Sequence, residues 1–445
     1  MIAPSARRLL LVVVALGALT HLPGLNSPAQ VVFDEVHWGK AVNAYCCTGE
    51  RIFDVHPPHG KLLLTAGAVL AGYRGGMSFE SIGNPYAGTS AAAFRWVPAL
   101  AGILIPVFAF LLVLRLGGAQ PTAFLAGALL ALDNGLLLET RVMLFDGILV
   151  ASILGALVAI LPSDGVARPA GARALRLLSG ALCGLAVGTK FTGLVAPALV
   201  AAWICWTSRA QIRQIAARLA EVAAMAMLVY VAGWMIHFSL LTQPGLADAF
   251  HPTTGQFATD FRVVHSTMFE ANYNMRTPHP DGSGPLSWPW MKVTPFFWSG
   301  GDRALYLVGN PVVWWGSALL LWGIAVATGL MRVTRLRLER LPGDRIRLWL
   351  PVAGFILAYL PFFGIERTVF LYHYLTALVF AVVVVLLWLE RAGWIRQGGL
   401  RQQRLSYGVV LTLAAMAFVA VSPVTYGFSV GGYDEWLVGV LRSWR

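Results

Sequence analysis

Charged residues are scarce in this sequence. Asp, Glu, Lys and Arg make up 12% of its 445 residues, whereas 57% are hydrophobic and the mean hydropathy is +0.68. A soluble domain of this length cannot bury so much apolar surface, so the composition excludes the soluble globular class. It predicts an all-α polytopic membrane protein whose helices cross the lipid bilayer.

Apolar runs of roughly 17 to 25 residues recur along the chain and predict about eleven transmembrane helices, with an even number left open. The predicted spans are residues 9–24, 92–114, 121–138, 142–162, 174–189, 191–207, 220–241, 312–331, 348–364, 369–389 and 405–422. The first run is either a retained span or a signal peptide, and in both cases the following loop is translocated. No internal repeat divides the sequence, so residues 1–445 are interpreted as one membrane domain.

Lysine is rarer still, with only four residues: Lys40, Lys61, Lys190 and Lys292. Arginine instead fills alternate connections between the predicted spans, at 168–176, 209–218, 332–347 and 391–404. By the positive-inside rule these connections are cytoplasmic, so the net charge of +12 reflects topology and not nucleic-acid binding. The N-terminus is then cytoplasmic. The loops 33–90 and 242–310 lie on the outer or periplasmic face of the cell (inner) membrane, before the C-terminal helices 312–422.

The sequence also lacks the patterns of common metal, nucleotide and serine-nucleophile sites. Its four cysteines form no disulfide framework, because Cys46 and Cys47 are adjacent and Cys183 and Cys205 lie within predicted spans. No HExxH or paired CxxC spacing, phosphate loop, dinucleotide fingerprint or nucleophile elbow is present. No cofactor is therefore expected. A divalent metal stays open but is not indicated, although histidines and carboxylates share the first outer loop.

The first outer loop, 33–90, concentrates its titratable residues in two motifs. FDEVHWGK is expected to form an interfacial helix that aligns Asp34, His37 and Lys40. These charges are either ordinary solvated groups or include a general base held where the membrane ends. FDVHPPHGK contains two prolines that stiffen a turn before a short apolar helix beginning at Lys61. That lysine either anchors the helix or faces a phosphate.

Charges interrupt a hydrocarbon run in LDNGLLLETRVMLFDG, which contains Asp133, Glu139, Arg141 and Asp146. Each charge costs about 2.5–3.5 kcal/mol at the centre of a membrane helix, so we expect a tight outer turn facing the protein interior. Arg141 is the strongest phosphate-binding candidate by its placement, because a guanidinium group binds phosphate bidentately. The alternative is a structural pair with Glu139 or Asp146.

Three later motifs place further candidates on the same side of the membrane. GLAVGTKFTGL puts Lys190 between two spans, where it either snorkels or faces a buried anion. The outer loop HPDGSGPLSWPWMKVTPFFW contains Trp288 and Trp290 and is either a lid or sugar platform or part of an aromatic belt. IERTVFLYHY puts Arg367 at the outer end of a late span.

The chain resembles the protein O-mannosyltransferases, whose motifs occur here in the same order and spacing: FDEVHWGK, FDVHPPHGK, ETRVMLFDG, GLAVGTKFTGL, WPWM and ERTVFLYHY. The resemblance implies a glycosyltransferase C fold with interfacial helices in the first outer loop. It implies inverting transfer of mannose from a polyprenyl-phosphate-mannose donor to Ser or Thr hydroxyls of exported proteins. Such a transfer needs a base on the acceptor hydroxyl and stabilised charge on the departing phosphate.

The resemblance also implies roles for single residues. The family's catalytic acidic pair matches Asp34, the expected base, and Glu35 beside it, while Arg141 and Arg367 match basic positions assigned to the donor phosphate. The expected site for the donor phosphate and sugar comprises His56, Lys61, Arg141, Asp146, Lys190 and Arg367. Candidates for the acceptor site or a lid are His37, His59, Trp288 and Trp290, and no metal ligand is assigned.

The sequence departs from the family pattern in two places that bear on the substrate. His59 stands where the family usually has leucine, and HPDGSGP replaces a more aromatic, small-residue pattern. The outer loops are too short for the MIR domain of eukaryotic members, which indicates a bacterial-type protein of unknown oligomeric state. Two alternatives remain. One is a polyprenyl-phosphate-sugar transferase acting on a lipid or envelope glycan, and the other is a membrane transporter, although transporters place their charges nearer mid-membrane.

Overall fold

A computed structural model describes residues 3–162, 169–208, 211–251, 254–274, 276–333, 345–393 and 400–429, with 431–432, 436–437 and 439–440 near the C-terminus. Several arginines of the predicted cytoplasmic connections lie outside the described residues: Arg168, Arg209, Arg335, Arg337, Arg340 and Arg396. The described part of the chain forms fifteen α-helices and one short β-hairpin.

The helices are α1 (Pro4–His21), α2 (Glu35–Asn43), α3 (His59–Leu70), α4 (Ala92–Arg115), α5 (Gln120–Ala131), α6 (Asn134–Arg141), α7 (Asp146–Ile160), α8 (Pro169–Thr189), α9 (Val195–Thr207), α10 (Ile212–Leu240), α11 (Phe257–Asn274), α12 (Pro311–Val333), α13 (Arg345–Tyr359), α14 (Leu375–Arg391) and α15 (Leu400–Tyr426). The hairpin pairs β1 (Phe296–Gly300) with β2 (Arg303–Tyr306) in antiparallel fashion.

A helix lies at each of the eleven predicted spans, and helices α2 and α3 lie in the first outer loop as expected. Within the described ranges, five helices are both long and apolar enough to cross a membrane, and α5 with α6 forms a sixth candidate bent by 58°. Others are short: α7 has 15 residues, or about 22 Å of rise, against a hydrocarbon core of about 30 Å. The number of spans therefore stays a prediction.

The helices differ sharply in how much of their surface the protein covers. In the apolar segment Leu371–Arg391, which includes α14, the protein buries 83% of the most apolar 18-residue stretch. In α10 it buries only 17% of the corresponding stretch. Helix α14 is thus a core element, and α10 presents residues such as Met227, Leu228 and Met235 outward, as a lipid-facing helix does. Helix α4 packs on α1, α5 and α7, while α8 packs on α7 and α10.

The first outer loop is built around helices α2 and α3, which contact each other. Helix α2 continues into a π-helical turn, Ala44–Thr48, where Cys46 and Cys47 are joined by a disulfide that the sequence reasoning did not expect. Residues after α10 return to this loop, because Glu50 bridges to Gln243. The two predicted outer loops therefore meet.

Candidate functional site

Two buried lysine–carboxylate pairs form the polar centre of the molecule. Lys61, at the start of α3, is 2% exposed and donates hydrogen bonds to the carboxylate of Asp54 and to the His56 carbonyl oxygen, the latter at 2.8 Å. Lys190, between α8 and α9, donates to both carboxylate oxygens of Asp146 at 2.7 and 2.8 Å. Each buried ammonium group is thus compensated by a carboxylate, without which its burial would be very costly.

Two aromatic rings connect these ion pairs. The Trp38 and Phe145 ring centroids are 4.4 Å apart; Lys61 Nζ lies 5.8 Å from the centroid of Trp38, and Lys190 Nζ lies 5.3 Å from that of Phe145. Both lysines are within the range of cation–π attraction. A Cβ atom on Gly60 would lie 2.7 Å from Phe145 Cγ, so a side chain at position 60 would displace the Phe145 ring. The glycine permits the close approach that makes the two pairs one site.

Asp34 lies beside this centre, and its carboxylate accepts no hydrogen bond from the residues that the structure describes. It directly precedes α2, but its side chain makes no capping hydrogen bond. The charged groups that act on it are His37, Lys190, Asp146 and Asp54. Burial raises the pKa of Asp34 above its usual value, and the positive field of His37 and Lys190 offsets part of this rise. The site therefore holds a partly buried carboxylate of increased basicity.

The residue before Asp34 has a strained backbone. Phe33 has φ = +44°, in the left-handed region that residues other than glycine rarely adopt. Its N–H donates to the Phe297 carbonyl oxygen at 2.9 Å, and its ring stacks on the Phe297 ring with centroids 4.1 Å apart. Such conformations cost about 1–3 kcal/mol and persist where the surroundings fix them, often at functional sites. The hairpin strand β1 thus fixes the backbone that carries Asp34.

Glu35, the other acid of the predicted catalytic pair, has entirely different surroundings. It is 0% exposed, and its carboxylate accepts hydrogen bonds of 2.7–3.0 Å from Arg95 Nε and Nη2, Tyr86 Oη, and the N–H groups of Val32 and Met143. Arg95 is also 0% exposed. Because both oxygens of Glu35 are occupied by donors, these contacts favour a structural role and give no support to the catalytic role expected from the sequence.

Two more residues of the expected donor site, His56 and Arg367, lie near the two ion pairs. The His56 ring lies 5.7 Å from that of Phe145, measured between centroids. Burial, and then the positive charges of Lys190, Lys61 and Arg367, hold the pKa of His56 well below its usual value, so its imidazole is neutral at pH 7. Arg367 donates a hydrogen bond to Asn272 Oδ1 on α11. His37, a candidate for the acceptor site, is exposed and acts electrostatically on Asp34.

Arg141, the strongest phosphate candidate by placement, is engaged elsewhere. Its Nη1 donates to the carbonyl oxygens of Thr20 and His21 at 3.2 and 2.6 Å, at the C-terminus of α1. Its guanidinium carbon lies 4.5 Å from the Tyr426 ring centroid. A cation there satisfies the last carbonyls of a helix and its negative dipole end. These contacts support neither phosphate binding nor the predicted alternative of a pair with Glu139 or Asp146.

Three candidates for the acceptor site or a lid contribute to packing. His59 fits between α8 and α10, where a Cβ on Gly188 or Gly233 would come within 2.2 Å of its ring, and it hydrogen-bonds the Val229 carbonyl oxygen at 2.9 Å. Trp288 is 0% exposed, and its Nε1 donates to the Ser283 carbonyl oxygen at 2.9 Å. Trp290 is partly buried. The substrate role expected for His59 therefore finds no support in its position.

Three charged residues near the site, Arg95, Asp54 and Glu139, are not among the predicted site residues. Arg95 lies inside a predicted apolar span, where an arginine usually indicates a buried partner. Asp54 belongs to the FDVHPPHGK motif, and the sequence suggests Glu139 only as a partner of Arg141. No group of three or more His, Cys, Asp or Glu able to hold a metal ion occurs among the residues that the structure describes, and metal dependence stays untested.

The geometry can be compared with known proteins. The sequence model of the family described as dolichyl-phosphate-mannose-protein mannosyltransferase matches residues 11–242, more than half of the chain. The chain belongs to the protein O-mannosyltransferase family. A second model, for the C-terminal four TMM region of protein-O-mannosyltransferase, matches residues 257–444. The two matches together confirm the resemblance that the motifs carry.

Individual relatives of this mannosyltransferase-family chain are moderately similar. Protein O-mannosyl-transferase 1 of Danio rerio is 30% identical over 252 residues, covering 54% of this chain and 35% of that protein. Dolichyl-phosphate-mannose–protein mannosyltransferase 4 of Schizosaccharomyces pombe is 37% identical over 147 residues, covering 33% and 19%. The chain thus spans about a third or less of the length of these curated relatives.

Solved structures confirm the glycosyltransferase C fold. The S. cerevisiae Pmt1-Pmt2 complex bound to the sugar donor matches with a TM-score of 0.85 and 18% identity, covering 96% of this chain and 91% of the matched chain. ArnT from Cupriavidus metallidurans in the apo state matches with a TM-score of 0.57 and 17% identity, covering 99% and 70%. At these identities the likeness establishes the fold alone.

Proposed function

We propose that this protein transfers mannose from a polyprenyl-phosphate-mannose donor to Ser or Thr hydroxyls of exported proteins, with inversion at the anomeric carbon. Its family membership and the names of its relatives support the reaction class. The observation that carries the proposal is the Asp34 carboxylate, which makes no capping hydrogen bond within the described part of the chain, in the electrostatic field of the Asp146–Lys190 ion pair. A base and an anion site adjoin each other, as an inverting transfer to a phosphate-leaving donor requires.

In the proposed reaction, Asp34 accepts the proton of the acceptor hydroxyl while the hydroxyl oxygen attacks the anomeric carbon. The bond between that carbon and the phosphate oxygen breaks, and its electron pair leaves with the lipid phosphate. Lys190, Lys61 and Arg367 stabilise the developing negative charge. A phosphate is a good leaving group without protonation, so one carboxylate base suffices, whereas a glycosidase needs two carboxyl groups.

Glu35 and Arg95 have a positioning role in this proposal. Their ion pair fixes the start of α2, since Glu35 also accepts from the backbone of Val32 and of Met143, which follows α6. Asp34 is thereby held relative to the segment that leads into Asp146. Reactions of this kind lose rate when reacting atoms shift by about 1 Å, so the ion pair serves catalysis without touching the substrate.

The proposed location is the outer or periplasmic face of the membrane, with the N-terminus in the cytoplasm. The support is the arginine content of the alternate connections, together with the meeting of the two loops predicted to be outside. A bacterial-type protein would use a polyprenyl carrier of the kind available in its own membrane. The family match favours transfer over the transport alternative.

The test is transfer of radiolabelled mannose from polyprenyl phosphomannose by the purified protein in lipid vesicles, with an exported protein and an envelope-glycan extract as separate acceptors. We expect label in Ser and Thr of the protein acceptor. Asp34→Asn supplies the background, and Asp302→Asn, at an exposed aspartate in the hairpin turn, is the matched control. Label in the glycan alone would overturn the protein acceptor, and no transfer to either would overturn the function.

A further inference from the structure

One buried acid beside the proposed donor site has no assigned role. Glu139, on α6, is 1% exposed, and its Oε2 meets no hydrogen-bond partner among the described residues. The charged groups that act on it are Asp146, Lys190 and Asp34. Two of these three are carboxylates, so Glu139 adds a third acid around one ammonium group.

Asp133, the N-cap residue of the same helix, shows what a satisfied buried carboxylate looks like. It is 0% exposed and accepts hydrogen bonds from the N–H groups of Leu136 and Asn310 at 2.8 and 3.0 Å, and from Trp314 Nε1 at 2.8 Å. Glu139 is almost as deeply buried, but none of the described residues donates a hydrogen bond to its Oε2. A buried carboxylate lacking donors is so unfavourable that the group normally takes up a proton instead.

The nearby cations do not compensate Glu139. Lys190 donates to both oxygens of Asp146. On α6 itself, Arg141 is bound to the end of α1, and His21 of α1 hydrogen-bonds Thr140 at 3.0 Å. Tyr372, from the turn before α14, also faces the acids of this cluster. Among the described residues, the nearby cations are therefore bound elsewhere, and the other charged groups that act on Glu139 are acids.

The balance of charge gives the protonation of Glu139 a consequence for the donor. Three cations and three other carboxylates surround the site and cancel: Lys61, Lys190 and Arg367 against Asp34, Asp54 and Asp146. His56 is neutral. With Glu139 also neutral, the site has no net charge; with Glu139 ionised, it is net negative. The donor phosphate is an anion, so an additional negative charge at short range would repel it.

We propose that Glu139 is held as a neutral carboxylic acid and thereby keeps the donor-phosphate site from becoming net negative. It is a positioning residue, because it acts through the electrostatic field on the phosphate held by Lys190. The inference rests on the proposed function, since it presumes a phosphate donor. When the pH is raised until Glu139 ionises, the KM for the donor increases while the base Asp34 remains ionised and competent.

The experiment compares the donor KM of wild type, Glu139→Gln and Glu139→Met from neutral to alkaline pH. Glutamine is a neutral isostere and methionine a neutral side chain of similar length, so at least one is expected to fold. Both variants should keep the neutral-pH KM and lose the alkaline increase or shift it to higher pH. Glu80→Gln, at an exposed glutamate, should behave as wild type. An identical alkaline increase in wild type and both variants would overturn the inference.

Infrared spectroscopy of the purified protein supplies a readout that does not depend on activity. A protonated carboxyl group has its own carbonyl stretching band. We expect Glu139→Gln to remove intensity from that band at neutral pH and Glu80→Gln to leave it unchanged. An unchanged band in Glu139→Gln would overturn the inference. If wild type transferred no mannose, the proposed function would fail, and this band alone would decide the protonation of Glu139.

Discussion

Glu35→Gln is expected to destabilise the protein strongly, although it only replaces one carboxylate oxygen by an amide nitrogen. The substitution removes the charge that compensates Arg95, and both residues are 0% exposed. Arg95 would keep its hydrogen bonds to the carbonyl oxygens of Pro28 and Gln30, both at 2.9 Å, but not its counterion. Removing one partner of a buried ion pair costs about 3–5 kcal/mol, a large part of the stability of a typical domain.

The assay is thermal unfolding of the purified protein in detergent, with Asp34→Asn measured beside it. Asp34 makes no side-chain hydrogen bond at the helix start, and its burial is itself unfavourable, so Asp34→Asn should keep or raise the unfolding temperature. Glu35→Gln with Arg95→Met removes both charges and should recover part of the loss. Equal unfolding temperatures for Glu35→Gln and wild type would refute the structural role assigned to Glu35.

Three further predictions concern the site and its surroundings. Burial raises the pKa of Asp34, and the ionised form of Asp34 is the active base. Transfer should therefore fall as the pH drops through that raised pKa, which lies above the ordinary value of about 3.9. A pH profile of kcat/KM that falls only at the ordinary value would contradict this. Gly60→Ala should cost about 1–3 kcal/mol and reduce transfer by displacing the Phe145 ring, whereas Gly316→Ala, with open space around it, should be nearly neutral in both assays. His59→Leu should lower thermal stability and leave the donor KM unchanged, and a changed KM would restore the predicted substrate role.

Much of the fold could be predicted because lipid restricts the chain to a few solutions. A helix lies at all eleven positions that the apolar runs predict, and the motifs correctly indicate the family. The number of spans could not be obtained in this way. Helix α7 is as apolar as a span but short and almost entirely buried, and hydropathy does not distinguish burial in protein from burial in lipid.

The candidate site was predictable in its residue types more than in its pairings. The motifs of the first outer loop and the family resemblance predict Asp34 and Lys61, charges beside apolar runs predict Asp146 and Lys190, and the structure brings the four together. Arg141 shares that signal but binds the end of α1. A guanidinium can satisfy helix carbonyls or a phosphate, and the choice depends on which element packs against it. Sequence spacing does not contain that information.

The adjacent acids Asp34 and Glu35 illustrate the same limit. In the sequence they are one acidic pair, but consecutive residues at the start of a helix point in different directions. The Asp34 carboxylate therefore lies in the electrostatic field of Lys190, whereas the Glu35 carboxylate pairs with the buried Arg95. Only the three-dimensional contacts separate the proposed base from its support.

Single-turnover transfer by Asp34→Asn, with bound donor quantified in the same sample, tests the proposed mechanism most directly. Loss of a general base usually costs about 10²- to 10⁴-fold in rate, whereas donor binding depends on the cations of the site. We predict that Asp34→Asn binds polyprenyl phosphomannose at least as tightly as wild type does and transfers its mannose at least about 10²-fold more slowly. Transfer at the wild-type rate from a fully bound donor would contradict the assignment of Asp34 as the base.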